Sequence, residues 1–491
     1  MRHQHKIAVL KYTKGNFWLL FLPLIRGLVS MKFDFYHWIK GAYLDIIVIL
    51  FIFGMAYLRW YFIKFEIKEK EIYVRQGLLF HSEFSFPYSA ISCAVCCSPF
   101  VFRPFKAVKI ALDSDSHPMS KKRNKADLTL IVAETDYLQL YNKIPTESTN
   151  LKVGYQASKK DLIIFSLLFS STLSGIIFMG TFFIQGSKLV GERLEQEIFS
   201  AVSNVTEAVK IVAKEATPFS VALTMVIGAG WLLSFLINLL RHIKFAIHRR
   251  GENIVVENGH FSHWKYYVNY SKINYADLRQ NLLMKAAKIM SVHVSCTGYG
   301  KGRNEIPVFV PVTTRQRVMS TMEMMLPDFT LSNITLKPKP TYVMAYIWLP
   351  LVLTVGVPIV AIVAARFFPD WLGAIKFLAI MLEIPSVYLL AVKIAAKLGT
   401  GIGAGAKTLT VRYCHAYRFH TVIVPKVRVA YIKIRRTPFQ RVSGCCDVVI
   451  YTRGERVQGH KVRGVRFTEA EFFAENYNNV GKNVRFCDTN K

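Results

Sequence analysis

The sequence predicts an α+β membrane protein with six transmembrane helices in three hairpins. Each hairpin is followed by a cytoplasmic small β-barrel or sandwich that closes with a C-terminal helix. Three observations carry this prediction. Long apolar stretches come in three close pairs, positive charge accumulates on the segments that follow the pairs, and those segments repeat one strand pattern. The composition agrees: 52% of the 491 residues are hydrophobic and mean hydropathy is +0.27, yet 63 Lys and Arg face only 32 Asp and Glu. A soluble chain of net charge +31 is normally far more polar, and a pore buried wholly in lipid has no use for that charge. Disordered, collagen-like and small disulfide-stapled classes are excluded. The balance points to basic portions in water that face an anionic surface or an acidic partner.

A helix needs about 20 apolar residues to cross the bilayer core. The first hairpin (1–60) contains 15–31, a short span that carries Arg26, and 41–58; Lys14 and Lys32 can snorkel to extend the short one. The second (161–240) contains 162–184 and 219–240, joined by an extracellular amphipathic loop at 185–218. The third (341–398) contains 342–365 and 371–392. The apolar run 17–25 meets Arg26 rather than a small-residue cleavage site, so no signal peptide is expected. Segment 59–160 carries a net +6, 241–340 a net +9 and 393–491 a net +13, whereas 185–218 holds 4 basic and 5 acidic residues. Positive charge marks the inside. Both termini and the modules at 61–160, 241–340 and 399–491 are therefore expected in the cytoplasm of a multi-pass cell-membrane protein.

The modules repeat. IYVRQG at 72–77, IVVENG at 254–259 and LTVRYC at 409–414 are followed by FSFPYSAI at 84–91, YYVNYSKI at 266–273 and TVIVPKVRV at 421–429. Alternating β-branched and aromatic residues broken by turn residues read as half-buried antiparallel strands. The last helix, 467–479, has Thr468 and Glu471 at capping-box spacing. The clearest motif is RRTPFQR at 435–441 leading into DVVIYT at 447–452, with LRQNLL at 278–283 leading into VHVSC at 292–296 next. On these residues the chain resembles the bacterial pleckstrin-homology-like (bPH) family, and its three hairpin-plus-module units look like the YdbT-like membrane members. The third module departs by placing Tyr413 and Cys414 where the others have Gly, and the first by placing SPFVFR at 98–103. The resemblance implies PH-like modules in the bacterial cytoplasmic membrane, a link to envelope stress or defence, and a smaller single-module membrane sibling as partner.

Gly399, Gly401, Gly403 and Gly405 before Lys407 and Thr408 mimic a phosphate loop. That loop needs a strand before it and Gly directly before the Lys. The run is therefore read as a flexible hinge. Cys93, Cys96 and Cys97 and the pair Cys445 and Cys446 have no second C-x-x-C or H-x-H partner, so they read as core residues rather than a zinc site. His81, His260, His263, His415 and His420 read as surface residues. No catalytic arrangement, cofactor or metal site is identified, and no nucleic-acid motif.

Charges inside the spans are costly. Arg26 and Asp45 fall about 6–8 Å from the outer boundary and can pair across the first hairpin. Glu383 falls about 18 Å from it, near mid-membrane, and is read either as a structural group or as part of an ion path. A stripe of Ile198, Val202, Val205, Val209 and Val212 marks one helical face in the outer loop. Inside, Lys121, Lys122, Arg123 and Lys125 form one basic cluster, and Lys433, Arg435, Arg436 and Arg441 form another. The second is the expected contact for the anionic inner leaflet or a protein partner. The preferred reading is a non-enzymatic membrane scaffold for protein or anionic-lipid binding. The alternative is a transporter or channel that uses Glu383, Arg26 and Asp45.

Overall fold

The computed structural model describes residues 1–14, 43–77, 81–115, 126–143, 153–169, 218–259, 262–300, 308–369, 372–454, 457–478 and 484–488. The span at 15–31 with Arg26, the amphipathic stripe and the basic cluster at 121–125 lie outside the described residues. The chain divides into two compact units. The first is 1–154, 246–273 and 296–307; the second is 155–245, 274–295 and 308–491. The division between the units does not follow the sequence repeat: it cuts through the second module, between Ile273 and Asn274 and again on either side of 296–307.

In the first unit, β1 (Arg2–His3), β2 (Lys64–Ile67), β3 (Glu71–Gln76) and β4 (Ser82–Pro87) form one antiparallel sheet, with α1 (Ala8–Lys14) and α2 (Tyr43–Tyr61) between β1 and β2. The pleat puts Ile72 and Val74 in the core while Tyr73 and Arg75 turn outward. A second sheet contains β5 (Ile91–Ser98), β6 (Ala107–Ser114) and β7 (Leu128–Ala133), and helix α3 (Glu134–Lys143) follows. The strands β8 (Val153–Gln156), β9 (Ala246–Arg250), β10 (Asn253–Asn258) and β11 (His263–Asn269) complete it in the order β7-β6-β5-β11-β10-β9-β8, and the chain passes to the second unit within β8. β5 lies inside this sheet and is buried on both faces, which accounts for its run of small and apolar residues, Cys93, Cys96 and Cys97 included. The core joins Phe65, Ile72 and Phe86 to Ile110, Leu112 and Leu130, and takes Val255 and Tyr267 from the second repeat.

The second unit contains α4 (Lys159–Phe169), α5 (Pro218–His242), β12 (Tyr275–Gln280), α6 (Leu282–Ala286), β13 (Ile289–Ser295), β14 (Val308–Thr314), α7 (Arg315–Met325), α8 (Met344–Phe367) and α9 (Leu372–Gly399). It continues through β15 (Gly401–Ala404), β16 (Thr408–His415), β17 (Arg418–Pro425), β18 (Val429–Arg436), α10 (Pro438–Val442), β19 (Cys445–Thr452), β20 (Gln458–Arg466), α11 (Phe467–Asn478) and β21 (Val484–Asp488). One sheet runs β14-β13-β12-β17-β16-β15 and the other β20-β19-β18-β21, with β21 parallel to β18. Ala470, Ala474 and Tyr477 of α11 close the core over Val411, Ile432, Ile450 and Val462.

Among the described residues one helix is long and apolar enough to cross a membrane: α8 over Tyr346–Phe367, with 6% of its apolar window buried. The apolar parts of α2 and α5, Ile49–Tyr61 and Gly228–Leu240, are shorter. The β architecture is thus a repeated set of antiparallel strands and helices, of the kind the PH-like resemblance implies, while the expectation of six spans rests on the sequence.

Two local expectations are corrected. The Gly-rich run is not a hinge: 401–404 is strand β15, paired with β16 and bridged through Ile402 to Leu336. A Cβ on Gly403 would lie 2.2 Å from the Asn333 carbonyl oxygen, and one on Gly401 would lie 2.4 Å from Ile334 Cγ2. These glycines admit the backbone of 332–336. Nor does Thr468 cap the last helix, because α11 already begins at Phe467. The capping box belongs to the RRTPFQR motif. Thr437 Oγ1 accepts from Gln440 N at 3.3 Å, Gln440 Oε1 accepts from Thr437 N at 2.9 Å, and Pro438 occupies the first helical position.

Two backbone devices recur in every module. The 3-10 turns Tyr88–Ala90, Tyr270–Lys272 and Lys426–Arg428 each start with an N–H that donates to the strand hairpin before it, at Lys70, Glu252 and Lys407. A left-handed residue (Lys106, Lys288 or Gly444, φ 49, 55 and 63) accepts from the first N–H of the closing helix, at Glu134, Arg315 and Phe467. Counted from the turns, the modules join in one register. Tyr267 pairs with Ala94 at the first junction and Ile423 with Ala276 at the second, each three residues before a turn against six after a turn's start. β18, at the place of β5 and β12, is paired instead by β21.

Candidate functional site

At the second junction, β12 and β17 bring a buried polar network together. Asp277 is almost fully buried; its Oδ2 accepts from Arg279 Nε at 2.6 Å and from His420 Nδ1 at 2.9 Å. Burial alone would raise this carboxyl, but the hydrogen bond and charge of His420, with the charge of Arg279, hold it at about 2. His293, fully buried opposite it on β13, is held well below its ordinary value by burial and then by the Arg279 charge. The Tyr413 ring stacks on His420 at 5.0 Å and its hydroxyl meets His460 Nδ1 at 3.1 Å. Burial pushes His460 down to about 4.

His420 was expected at the surface, as its strand pattern suggested; it is half-buried because β12 lies across β17 and supplies the carboxylate. The residues missed from the sequence are Asp277, Arg279, His293 and His460. The available signal was a charged pair two residues apart within an otherwise apolar strand.

Beside this network lies a cavity of about 670 Å³, lined by Lys285, Lys288, Arg315 and Arg412 with Gln280, Thr314, Thr400 and Thr421, and by no carboxylate. Asn281 caps α6 by accepting from Met284 N at 2.7 Å and so fixes the turn that presents Lys285, whose ammonium sits 4.7 Å from the Phe419 ring. Arg412 is half-buried, its Nε has no hydrogen-bond partner among the described residues, and burial together with the Arg315 charge lowers its pKa. Ala396 and Gly399, at the end of α9, also line it, with Gly399 beside the Lys285 ammonium.

The residues singled out from the sequence do not meet here. Lys433, Arg435 and Arg436 are half-buried on β18; Arg435 Nη2 donates to Tyr451 OH at 3.4 Å, and the Arg436 guanidinium lies 4.0 Å from the Phe467 ring. Arg441 is exposed on α10. Asp45 falls in α2. Glu383 is half-buried on α9, and its Oε2 is buried without a partner among the described residues. Nearby on the chain, Ser386 bonds Thr354 of α8 at 2.9 Å.

Burial pushes the thiols of Cys96 and Cys446 up to about 12, away from the thiolate form. Among the described residues no group of three or more His, Cys, Asp and Glu is arranged to hold a metal.

No curated protein matches the chain. The family model for the bacterial PH domain matches three times, at 19–139, 175–323 and 346–480. The first two matches end within the closing helices α3 and α7, and the third just beyond α11. With three copies of that domain over most of its length, the chain belongs to the bacterial PH domain family.

Proposed function

We propose that the chain is a scaffold of the bacterial cytoplasmic membrane that presents three bPH modules for protein or anionic-lipid binding, in a setting of envelope stress or defence. The observation that carries this reading is the shared sheet at each junction. Successive modules are joined by antiparallel strand pairing in one register rather than by a loose linker, an arrangement suited to holding binding surfaces in fixed order. The apolar, 6%-buried window of α8 and the paired apolar stretches of the sequence support membrane anchoring. The partners proposed are the anionic inner leaflet and a smaller single-module membrane sibling.

Single-cysteine accessibility in intact cells, on a background with the native cysteines replaced, tests the topology. A cysteine in loop 185–218 should label from outside, and cysteines at Ser82, Ser320 and Ser443 should label only after permeabilisation. Labelling of any of those three in intact cells overturns the reading. Replacing Lys433, Arg435, Arg436 and Arg441 with Gln should weaken binding to anionic liposomes; unchanged binding removes that contact. The transport alternative is favoured by Glu383 alone, whose buried Oε2 has no partner among the described residues. It requires that Glu383→Gln abolish flux while leaving membrane abundance intact.

A further inference from the structure

The cavity at the second junction holds four cations and no acid, and the first junction shows that the fold does not require this. The repeat provides matched positions. Arg412 lies five residues beyond the Lys407 carbonyl that anchors its turn, and Glu257 lies five beyond Glu252. Arg315 and Glu134 each open a closing helix by donating to the left-handed residue. Lys285 and Arg103 each lie three residues before that residue, Lys288 or Lys106. The first junction therefore sets Arg103, Lys106, Glu134 and Glu257 where the second sets Lys285, Lys288, Arg315 and Arg412. The set is charge-balanced at the first junction and wholly positive at the second, and Glu257 has its own ion pair with Lys265 at 3.1 Å.

The surrounding groups point the same way. The first turn of the 11-residue α7 lines the cavity, contains no acidic residue, and is not capped by Thr314, whereas α3 opens with Glu134 and Asp136. A helix start of this kind places positive partial charge where Arg315 already stands, which costs stability unless an anion joins it. Arg412 contributes a half-buried guanidinium whose Nε donor has no partner among the described residues.

We propose that this cavity binds a phosphate group, on a ligand that reaches it through the junction of the second and third modules. Two guanidiniums, two ammoniums and neighbouring hydroxyls suit a tetrahedral group with several anionic oxygens; one carboxylate would leave most of the charge uncompensated. The phosphate can be borne by a soluble ester or by a lipid headgroup. Only the lipid source rests on the membrane reading.

The test uses the full-length chain in an uncharged detergent. Glycerol 3-phosphate is the soluble probe and lyso-phosphatidylglycerol the lipid probe, with lyso-phosphatidylcholine for comparison, read by native mass spectrometry and by thermal shift. The variants are Arg315→Glu with Arg412→Glu, which install the acids the first junction carries, and Arg315→Gln with Arg412→Gln should the first pair fail to fold. At least one phosphate probe should bind, at least about tenfold more tightly to wild type than to either folded variant. Binding of glycerol 3-phosphate assigns a soluble ligand. Binding of lyso-phosphatidylglycerol alone assigns a headgroup. Binding of neither probe, or binding that survives the substitutions, overturns the site. The soluble arm can succeed even if cysteine accessibility refutes the membrane scaffold, so the two readings fail separately.

Discussion

His460 is neutral in the folded chain because its surroundings leave no room for its charge. It is buried against Tyr275 at 4.9 Å and Tyr413, and its Nε2 has no partner among the described residues. Its folded pKa of about 4 lies below the ordinary 6.5, so the unfolded chain binds this proton more tightly. The stability it contributes is complete above pH 6.5 and is lost as pH falls towards 4, by roughly 3 kcal/mol over that window. His293, also lowered, adds a loss of the same sign. Asp277, held at about 2, has the same sign but acts only from about pH 4 downward. Denaturant unfolding between pH 7 and 4.5 should therefore show a falling midpoint in wild type and a flatter profile in His460→Gln. Equal slopes in the two proteins would exclude His460 as the source. Only the Asp277 and Arg279 pair was legible in the sequence: Asp277 and His420 are 143 residues apart, and the β12–β17 register brings them together.

At the scale of elements, β15 shows how a residue pattern can mislead. Strands such as β3 and β16 were legible because alternating side chains report which face is buried. A Gly-x-Gly-x-Gly run has no such period, and its strand character comes from the backbone of 332–336 packed where side chains would be. Gly403→Val should therefore destabilise the chain by about 1–3 kcal/mol through overpacking, measured as a lower urea midpoint with unchanged slope. A neutral result would restore the hinge. The TPFQR segment is the opposite case, a motif legible from residue types whose mechanism the structure supplies. Thr437 and Gln440 cap α10 reciprocally, and Gln440 Nε2 also donates to the buried Asp447 carboxylate at 2.6 Å. Thr437→Ala should cost about 1 kcal/mol. Gln440→Ala should cost more, because it also takes a partner from a buried acid. If the two cost the same, the Asp447 bond adds nothing measurable.

For the whole molecule, the repeat seen in sequence and the folded unit are different objects. The repeat was legible because every module carries the same strand alternation. The junctions were not, because the pattern of β11 looks alike whether its outer edge meets water or β5. The second repeat shows the consequence: Tyr267 is buried in a core built mainly by the first repeat, and Tyr275 in one built mainly by the third. Cut out alone, segment 241–340 would expose both rings and leave the edges of β11 and β12 unpaired, while its residues are divided between the two compact units. Expressed by itself, it should give no cooperative unfolding transition by circular dichroism and should bind dyes that report exposed apolar surface. A monomeric 241–340 that unfolds in one sharp step would show that each repeat is its own folding unit and that strand pairing at the junctions is secondary.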